Sequence, residues 1–222
     1  MKAAAVIPAY NESRHIAEVV GAVRPYVDIV IVVDDGSTDD TGALAQVQGA
    51  TVIRHRSNCG AGAATMTGLS AARRMGFSIA ITIDADGQHD PKDIPRMLEL
   101  LRADKADLVM GDRFAKRNEI PLIRRIFNAI GNLLTFIVTG LYFSDSQCGF
   151  KSFGPKALSQ VELRMHGFEF CTEIVREAAK YRWRVINIPI KVMYSAYTMA
   201  KGQSFSSGVR TAMKILLRSF LR

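Results

Sequence analysis

Two carboxylates separated by a single residue, Asp84 and Asp86 of IDADGQHDP, follow the apolar run from Ile79 to Ile83. At the end of a strand this spacing suits a hard divalent cation shared with substrate phosphate oxygens, because Mg²⁺ takes one or two carboxylates and completes its shell with water and phosphate. Gln88 or His89 could add a further ligand or orient one. Pro8-Ala9-Tyr10-Asn11-Glu12 and Asp34-Asp35-Gly36-Ser37 follow apolar runs in the same way. Turn chemistry and helix capping would explain each cluster alone. Three clusters on one rim of a sheet, where open α/β folds place their ligands, point to a site. The run Asn58-Cys59-Gly60-Ala61-Gly62-Ala63-Ala64 superficially matches a phosphate-cradling loop, but it lacks the Lys-Ser/Thr of a P-loop and the third glycine of a dinucleotide fingerprint. Its glycines read instead as a close approach of backbone and helix packing.

The elements that must position these residues alternate. Ala3 to Ile7 reads as a strand, and Asn11 to Arg24 as a helix from the spacing of Ile16, Val19, Val20 and Val23. A β-branched strand from Asp28 to Val33 precedes a helix over 40–47 that Thr38 or Asp39 can cap. Further strands are predicted at Thr51 to Arg54, Ile79 to Ile83 and Leu108 to Met110, and further helices at Gly62 to Met75 and Pro91 to Leu101. This order predicts an α/β fold, one domain with a mostly parallel sheet flanked by helices. Past residue 111 the alternation lapses into a basic segment from Arg113 to Arg125, a weakly polar stretch from Ile126 to Phe143, a glycine-rich turn near Gly149, a helix near Thr172 to Tyr181 and a strand near Val185 to Val192. The stretch from Ile126 to Phe143, interrupted by Asn128 and Asn132, reads as core or as interfacial, not as spanning a membrane.

The 222 residues, 48% apolar and 23% charged, exclude disordered and collagenous classes. Three scattered cysteines without a CxxC pair exclude a disulfide framework and fit a reducing compartment, and the apolar N-terminal run is too short for a signal peptide. The net charge of +8 is lopsided: residues 1–110 carry 11 Lys/Arg against 14 Asp/Glu, whereas 111–222 carry 18 against 7. The second half is built to meet anions. Nucleic acid is not the expected partner, because one Trp and no interleaving of aromatic and basic residues leave charge as its only support.

The blocks IPAYNE, VVDDGSTDDT, IDADGQHDP, GDR, DSQCGFK, GFEF and YSAYTMAKG, in this order from about Ala4 to Lys201, resemble family 2 glycosyltransferases of the GT-A fold. DSQCGFK is most similar to dolichyl-phosphate glucosyltransferases and mannose synthases, which place a sugar on a polyprenyl phosphate. The resemblance implies a nucleotide-sugar donor site at Pro8, Tyr10, Glu12, Val33 and Asp35, with Asp35 on the base, continuing to Asp84, Ala85 and Asp86. It implies Mg²⁺ or Mn²⁺ on Asp84, Asp86 and Gln88, and phosphate-binding positions at Arg113, Arg124, Lys151 and Lys201. Asp145 and Lys151 stand at catalytic positions, with Lys151 where Arg is more usual, a swap that keeps charge and loses the bidentate fork. Ala61 stands where many relatives carry Lys between the glycines.

On this reading residues 1–110 form the donor half, 111–205 the acceptor half and 206–222 a basic amphipathic helix. A phosphate monoester, with its second pKa near ~6, is already a nucleophilic dianion at neutral pH and needs alignment and charge cancellation more than a base. A hydroxyl acceptor would need a carboxylate base, with Asp145 or Glu169 as candidates. Val209, Met213, Leu216, Leu217 and Phe220 share one helical face, and Arg210, Lys214, Arg218 and Arg222 another. Four such charges near an anionic leaflet contribute roughly 4 kcal/mol. The expectation is peripheral attachment at the cytoplasmic membrane face, to lipid or to a membrane-protein partner.

Overall fold

The computed structural model describes residues 1–116, 118, 120–167 and 169–193. Seven strands form one sheet in the order β3-β2-β1-β4-β6-β5-β7, where β1 is Ala3–Ala9, β2 Ile29–Asp34, β3 Thr51–Arg54, β4 Ile79–Thr82, β5 Leu108–Asp112, β6 Lys151–Phe153 and β7 Val185–Pro189. All neighbours are parallel except β6, which runs antiparallel to both β4 and β5. The helices are α1 Ile16–Val23, α2 Thr41–Val47, α3 Ala61–Arg74, α4 Ile94–Arg102, α5 Leu122–Thr139, α6 Pro155–Gln160 and α7 Phe170–Lys180.

The strands are apolar throughout because both faces are covered. Along β1 the two-residue period sends Ala3, Ala5 and Ile7 into a core completed by α1 and α4, and Ala4 and Val6 into a second core completed by α3, α6 and α7. On α1 the residues singled out by spacing, Ile16, Val19, Val20 and Val23, are the ones buried. Sequence-predicted and observed elements agree to within a few residues up to β5. Asp40 occupies the α2 N-cap without a side-chain cap bond; Asp39 instead accepts from the Thr41 amide at 3.1 Å and the Ser13 amide at 3.2 Å.

Beyond residue 111 three elements depart from expectation. The glycine-rich turn leads into β6, whose three buried residues join β4 to β5, and Pro155 then starts the short helix α6. The third is α5, which excludes the core reading of the apolar stretch. Its Leu122, Ile123, Ile126, Ile130, Leu133, Phe136 and Ile137 are exposed, and its buried residues are Asn128, Asn132 and Thr135. It is long and apolar enough to cross a membrane by length and composition, with an 18-residue mean hydropathy of 1.3. Its polar inward face is tied down. Asn128 and Asn132 donate to the Ser144 carbonyl at 3.2 and 2.6 Å, and Thr135 meets Thr172 of α7 at 3.0 Å.

Candidate active site

The acidic clusters meet at the carboxyl ends of the parallel strands. In the β1–β2 ladder Pro8 pairs with Val33 and Ala9 with Asp34, so the segments after these strands lie side by side. They are laced together: the Asn11 amide donates to Ser37 Oγ at 3.0 Å, the Glu12 amide to Thr41 Oγ1 at 2.8 Å, and the Thr38 amide to Asn11 Oδ1 at 2.9 Å. Tyr10 is exposed, whereas Glu12 and Asp35 are buried. Asp35 Oδ1 accepts from the Cys59 amide at 2.9 Å and Oδ2 from the Gly60 amide at 2.7 Å, and His55 Nδ1 stands 2.7 Å from Oδ1.

The glycine run before α3 serves close approach. A Cβ on Gly62 would fall 2.1 Å from the Met165 carbonyl oxygen, and the Gly62 amide donates to the His166 carbonyl at 2.8 Å. Gly60, at φ +97°, has the His166 carbonyl in the place a side chain would take. The loop therefore supports the 165–167 segment with its backbone.

After β4, Asp84 is part-exposed and Ala85 is buried. His89 Nε2 lies 3.1 Å from Asp84 Oδ2, and the Cβ that Gly149 lacks would sit 2.4 Å from Asp84 Oδ1. Gln88 grips Asp86 twice, its amide N donating to Oδ1 at 3.0 Å and its Nε2 to Oδ2 at 2.6 Å. The two acids are pulled apart in acidity. Burial works to raise Asp84, but the hydrogen bond and charge of His89, backed by Arg113 and Lys151, hold it below the ordinary carboxylate range. Burial, then the charge of Asp84, with a contribution from Glu12, push Asp86 above that range. Asp84 and Asp86 thus offer carboxylate oxygens under mutual repulsion that a dication relieves, Gln88 adds an amide oxygen, and the set fits Mg²⁺ or Mn²⁺ chemically.

Opposite the acids, Arg113 extends from the end of β5. Its Nε and Nη2 each donate to Asp145 at 2.7 Å, one to each carboxylate oxygen; its amide donates to Oδ2 at 3.0 Å and Nη2 reaches Asn128 Oδ1 at 3.4 Å. Asp145 is fully buried by this fork. Asp112 holds the turn after β5 by accepting from the Phe114 and Ala115 amides at 2.8 and 3.1 Å, and it also accepts from the Ser144 hydroxyl. Lys151 opens β6 and is fully buried, its ammonium donating to the carbonyls of Ser146 and Cys148. Arg124 is half-buried on the first turn of α5, and Glu169 is buried at the start of α7. Lys201, YSAYTMAKG and the stripe at 206–222 lie outside the described residues.

The sequence reading picked out the acids, Arg113, Asp145 and Lys151, and the structure gathers them about one end of the sheet. It missed His55 and the role of Gly149, and took Asn128 and Asn132 only as interruptions of an apolar stretch. The spacing of Asn128 and Asn132, four residues apart on an otherwise apolar helix, was the available signal for a polar inward face.

The family model for glycosyl transferase family 2 matches residues 4–161. The chain is 33% identical over an alignment of 235 positions to a UDP-N-acetylglucosamine–dolichyl-phosphate N-acetylglucosaminyltransferase of Methanococcus voltae, covering 96% of this chain and 94% of that protein. It is 29% identical over an alignment of 223 positions to a polyprenol monophosphomannose synthase of Mycolicibacterium smegmatis, covering 94% and 83%. Among solved structures, glucosyl-3-phosphoglycerate synthase from Mycobacterium tuberculosis, crystallised with Mn²⁺, UDP and glucosyl-3-phosphoglycerate, superposes with a TM-score of 0.70 at 21% identity over 98% of this chain and 79% of that one. The parallel sheet, the acids at its rim and a family match over more than half the chain converge: this protein belongs to glycosyl transferase family 2 and is a glycosyltransferase with a GT-A-like fold.

Proposed function

We propose that the enzyme moves a sugar from a nucleotide-sugar donor, with a UDP-sugar favoured, to a polyprenyl phosphate, inverting the anomeric centre. The observation that carries this reading is the placement of Arg113 against the inner face of a helix whose outer face is apolar: Arg113 meets Asn128 on the inner side of α5, while Leu133, Phe136 and Ile137 look outward. A phosphate-reading cation beside a surface suited to lipid matches an acceptor that is a phosphate at one end and a hydrocarbon at the other. The relatives named for dolichyl-phosphate and polyprenol substrates support the same acceptor class.

In this proposal Pro8, Tyr10, Glu12, Val33 and Asp35 receive the nucleoside, and Asp84, Asp86 and Gln88 would hold the divalent cation. When bound, the cation supplies charge stabilisation to the departing diphosphate. The acceptor phosphate oxygen forms the new bond to the anomeric carbon as the bond to the donor diphosphate breaks, so the products are a polyprenyl phosphate sugar and the nucleoside diphosphate. Arg113 and Arg124, with Lys201, lower the repulsion between the two anions. Asp145 and Lys151 act as positioning residues: Asp145 aims the Arg113 guanidinium, and Lys151 holds the carbonyls of the loop that carries Asp145. The α5 face and the 206–222 stripe hold the enzyme against the cytoplasmic leaflet.

The test is a panel of UDP- and GDP-sugars with polyprenyl phosphate and Mg²⁺ or Mn²⁺, using wild type, Asp86→Ala and Arg113→Ala. The expected result is lipid-linked sugar from wild type and loss of at least about a hundredfold in both variants. Transfer unaffected by Asp86→Ala would remove the cation assignment. Product formed only on hydroxyl acceptors would remove the lipid phosphate.

A further inference from the structure

At the far end of the rim from Asp84 lies a group of three side chains of different chemistry. Asp35 follows β2, His55 follows β3 and Cys59 stands in the loop before α3, and their ligand atoms all lie within 4.8 Å of one another. We propose that Asp35, His55 and Cys59 form a site for a thiophilic divalent cation of the Zn²⁺ class, and that an ion held there blocks the nucleobase end of the donor site. The blocking part rests on the reading of Asp35 as a nucleoside contact; the metal site does not.

The donor set decides the class of ion. Carboxylate oxygen, imidazole nitrogen and thiolate sulfur together suit borderline-soft Zn²⁺, whereas Asp84, Asp86 and Gln88 present only hard oxygen or amide donors. The two ends of the rim therefore sort metals, hard ions to the diphosphate end and thiophilic ions to the base end.

The scaffold is already fixed. A Cβ on Gly36 would lie 2.6 Å from the Ser57 carbonyl carbon, so the loops after β2 and β3 are in backbone contact. The Cys59 and Gly60 amides both donate to Asp35, locking the cysteine's backbone to the carboxylate. Asp35 is buried, His55 is half-buried and Cys59 is exposed, which leaves an entry path on the thiol side. Thr67 Oγ1, 3.0 Å from His55 Nε2, completes the arrangement. With the ring hydrogen on Nδ1, His55 donates to Asp35 and Thr67 donates to Nε2. With it on Nε2, Thr67 accepts and Nδ1 is free to ligate, and such an outer hydrogen bond commonly orients a metal-binding histidine.

The proton balance is simple. The Cys59 thiol, which donates to the Ser57 carbonyl at 3.3 Å, loses its proton to solvent as sulfur binds the ion. The imidazole gives up the Nδ1 hydrogen and takes one on Nε2, so one proton is released per ion bound.

The experiment titrates Co²⁺ into the full chain in excess Mg²⁺ without nucleotide, reading the near-ultraviolet thiolate-to-cobalt absorption, and then adds Zn²⁺ or UDP. Wild type should show the band, lose it on adding Zn²⁺, and resist Co²⁺ more strongly as UDP rises. Cys59→Ser should show no band, and His55→Gln should weaken Co²⁺ binding by at least about tenfold. In the transfer assay Zn²⁺ should inhibit wild type competitively with donor and Cys59→Ser far less, at unchanged activity without Zn²⁺. Absence of the band in wild type, or its survival in Cys59→Ser, overturns the site. A band indifferent to UDP upholds the metal site and overturns the blocking role together with Asp35 as a nucleoside contact.

Discussion

Asp145→Asn is the perturbation that separates a positioning carboxylate from a proton acceptor. Asp145 receives three hydrogen bonds from one residue, from the amide, Nε and Nη2 of Arg113. Hydrogen bonds to charged groups contribute about 1.5–3 kcal/mol each, so the two side-chain bonds set a ceiling of roughly 3–6 kcal/mol. Asparagine keeps one acceptor oxygen, and the Arg113 side chain, 17% exposed, can recover some solvation. The expected destabilisation is therefore about 3 kcal/mol, at the lower end of the range for breaking a buried pair. Urea unfolding of wild type, Asp145→Asn, Arg113→Lys and the double variant gives the coupling, and the same four proteins give kcat/KM for lipid phosphate. If Asp145 works through Arg113, each single substitution lowers kcat/KM by roughly a hundredfold and the double variant falls little further. Strictly additive losses would refute the reasoning, as would a pH–rate profile in which Asp145→Asn alone abolishes the acidic limb, the fall in rate at low pH that a proton acceptor causes.

Gly62→Ala should cost at least about 2 kcal/mol, because the new Cβ would meet the Met165 carbonyl at 2.1 Å, and thermal unfolding checks it. Leu133→Glu with Ile137→Glu should weaken binding to anionic vesicles by roughly 30-fold, about 1 kcal/mol per partly exposed side chain, with folding unchanged; flotation of the full chain measures it. Asp39 is held down at about 2 against desolvation by hydrogen bonds from the Thr41 hydroxyl and from Ser13. A depressed carboxylate stabilises the fold above its unfolded pKa near 3.8, and that contribution is lost as pH falls through about 2. The stability difference between wild type and Asp39→Ala should accordingly be constant from pH 7 to 5 and shrink between pH 4 and 2.

The strand–helix order to β5 was legible because each apolar run there ends in a polar cluster, and strand ends are where a parallel sheet presents its loops. β6 was not, because a three-residue strand beginning with Lys151 carries no periodic signal, and a lysine reads as surface until the carbonyls around it are seen. On α5 the pattern was visible and its sense was not. Periodicity says that Asn128, Asn132 and Thr135 share a face, but only the partners of that face, Ser144, Ser146 and Thr172, decide that it points inward. The contacts of Asp35 with His55 and Cys59 join two loops, the one after β2 and the one between β3 and α3, and only the fold brings the carboxylate to the histidine and the cysteine four residues beyond it.

The reversed direction of β6 has a topological consequence. A parallel strand hands the rim the segment that follows it, whereas an antiparallel one hands over the segment that precedes it, so residues 144–150 arrive among the acids from the opposite chain direction. In the proposed reading that incoming loop can be exchanged to suit a different acceptor while the ladder on either side, Thr82 with Lys151 and Met110 with Lys151, keeps its register. A chain built this way can change what meets the rim from that side without disturbing the acids that follow β1, β2 and β4.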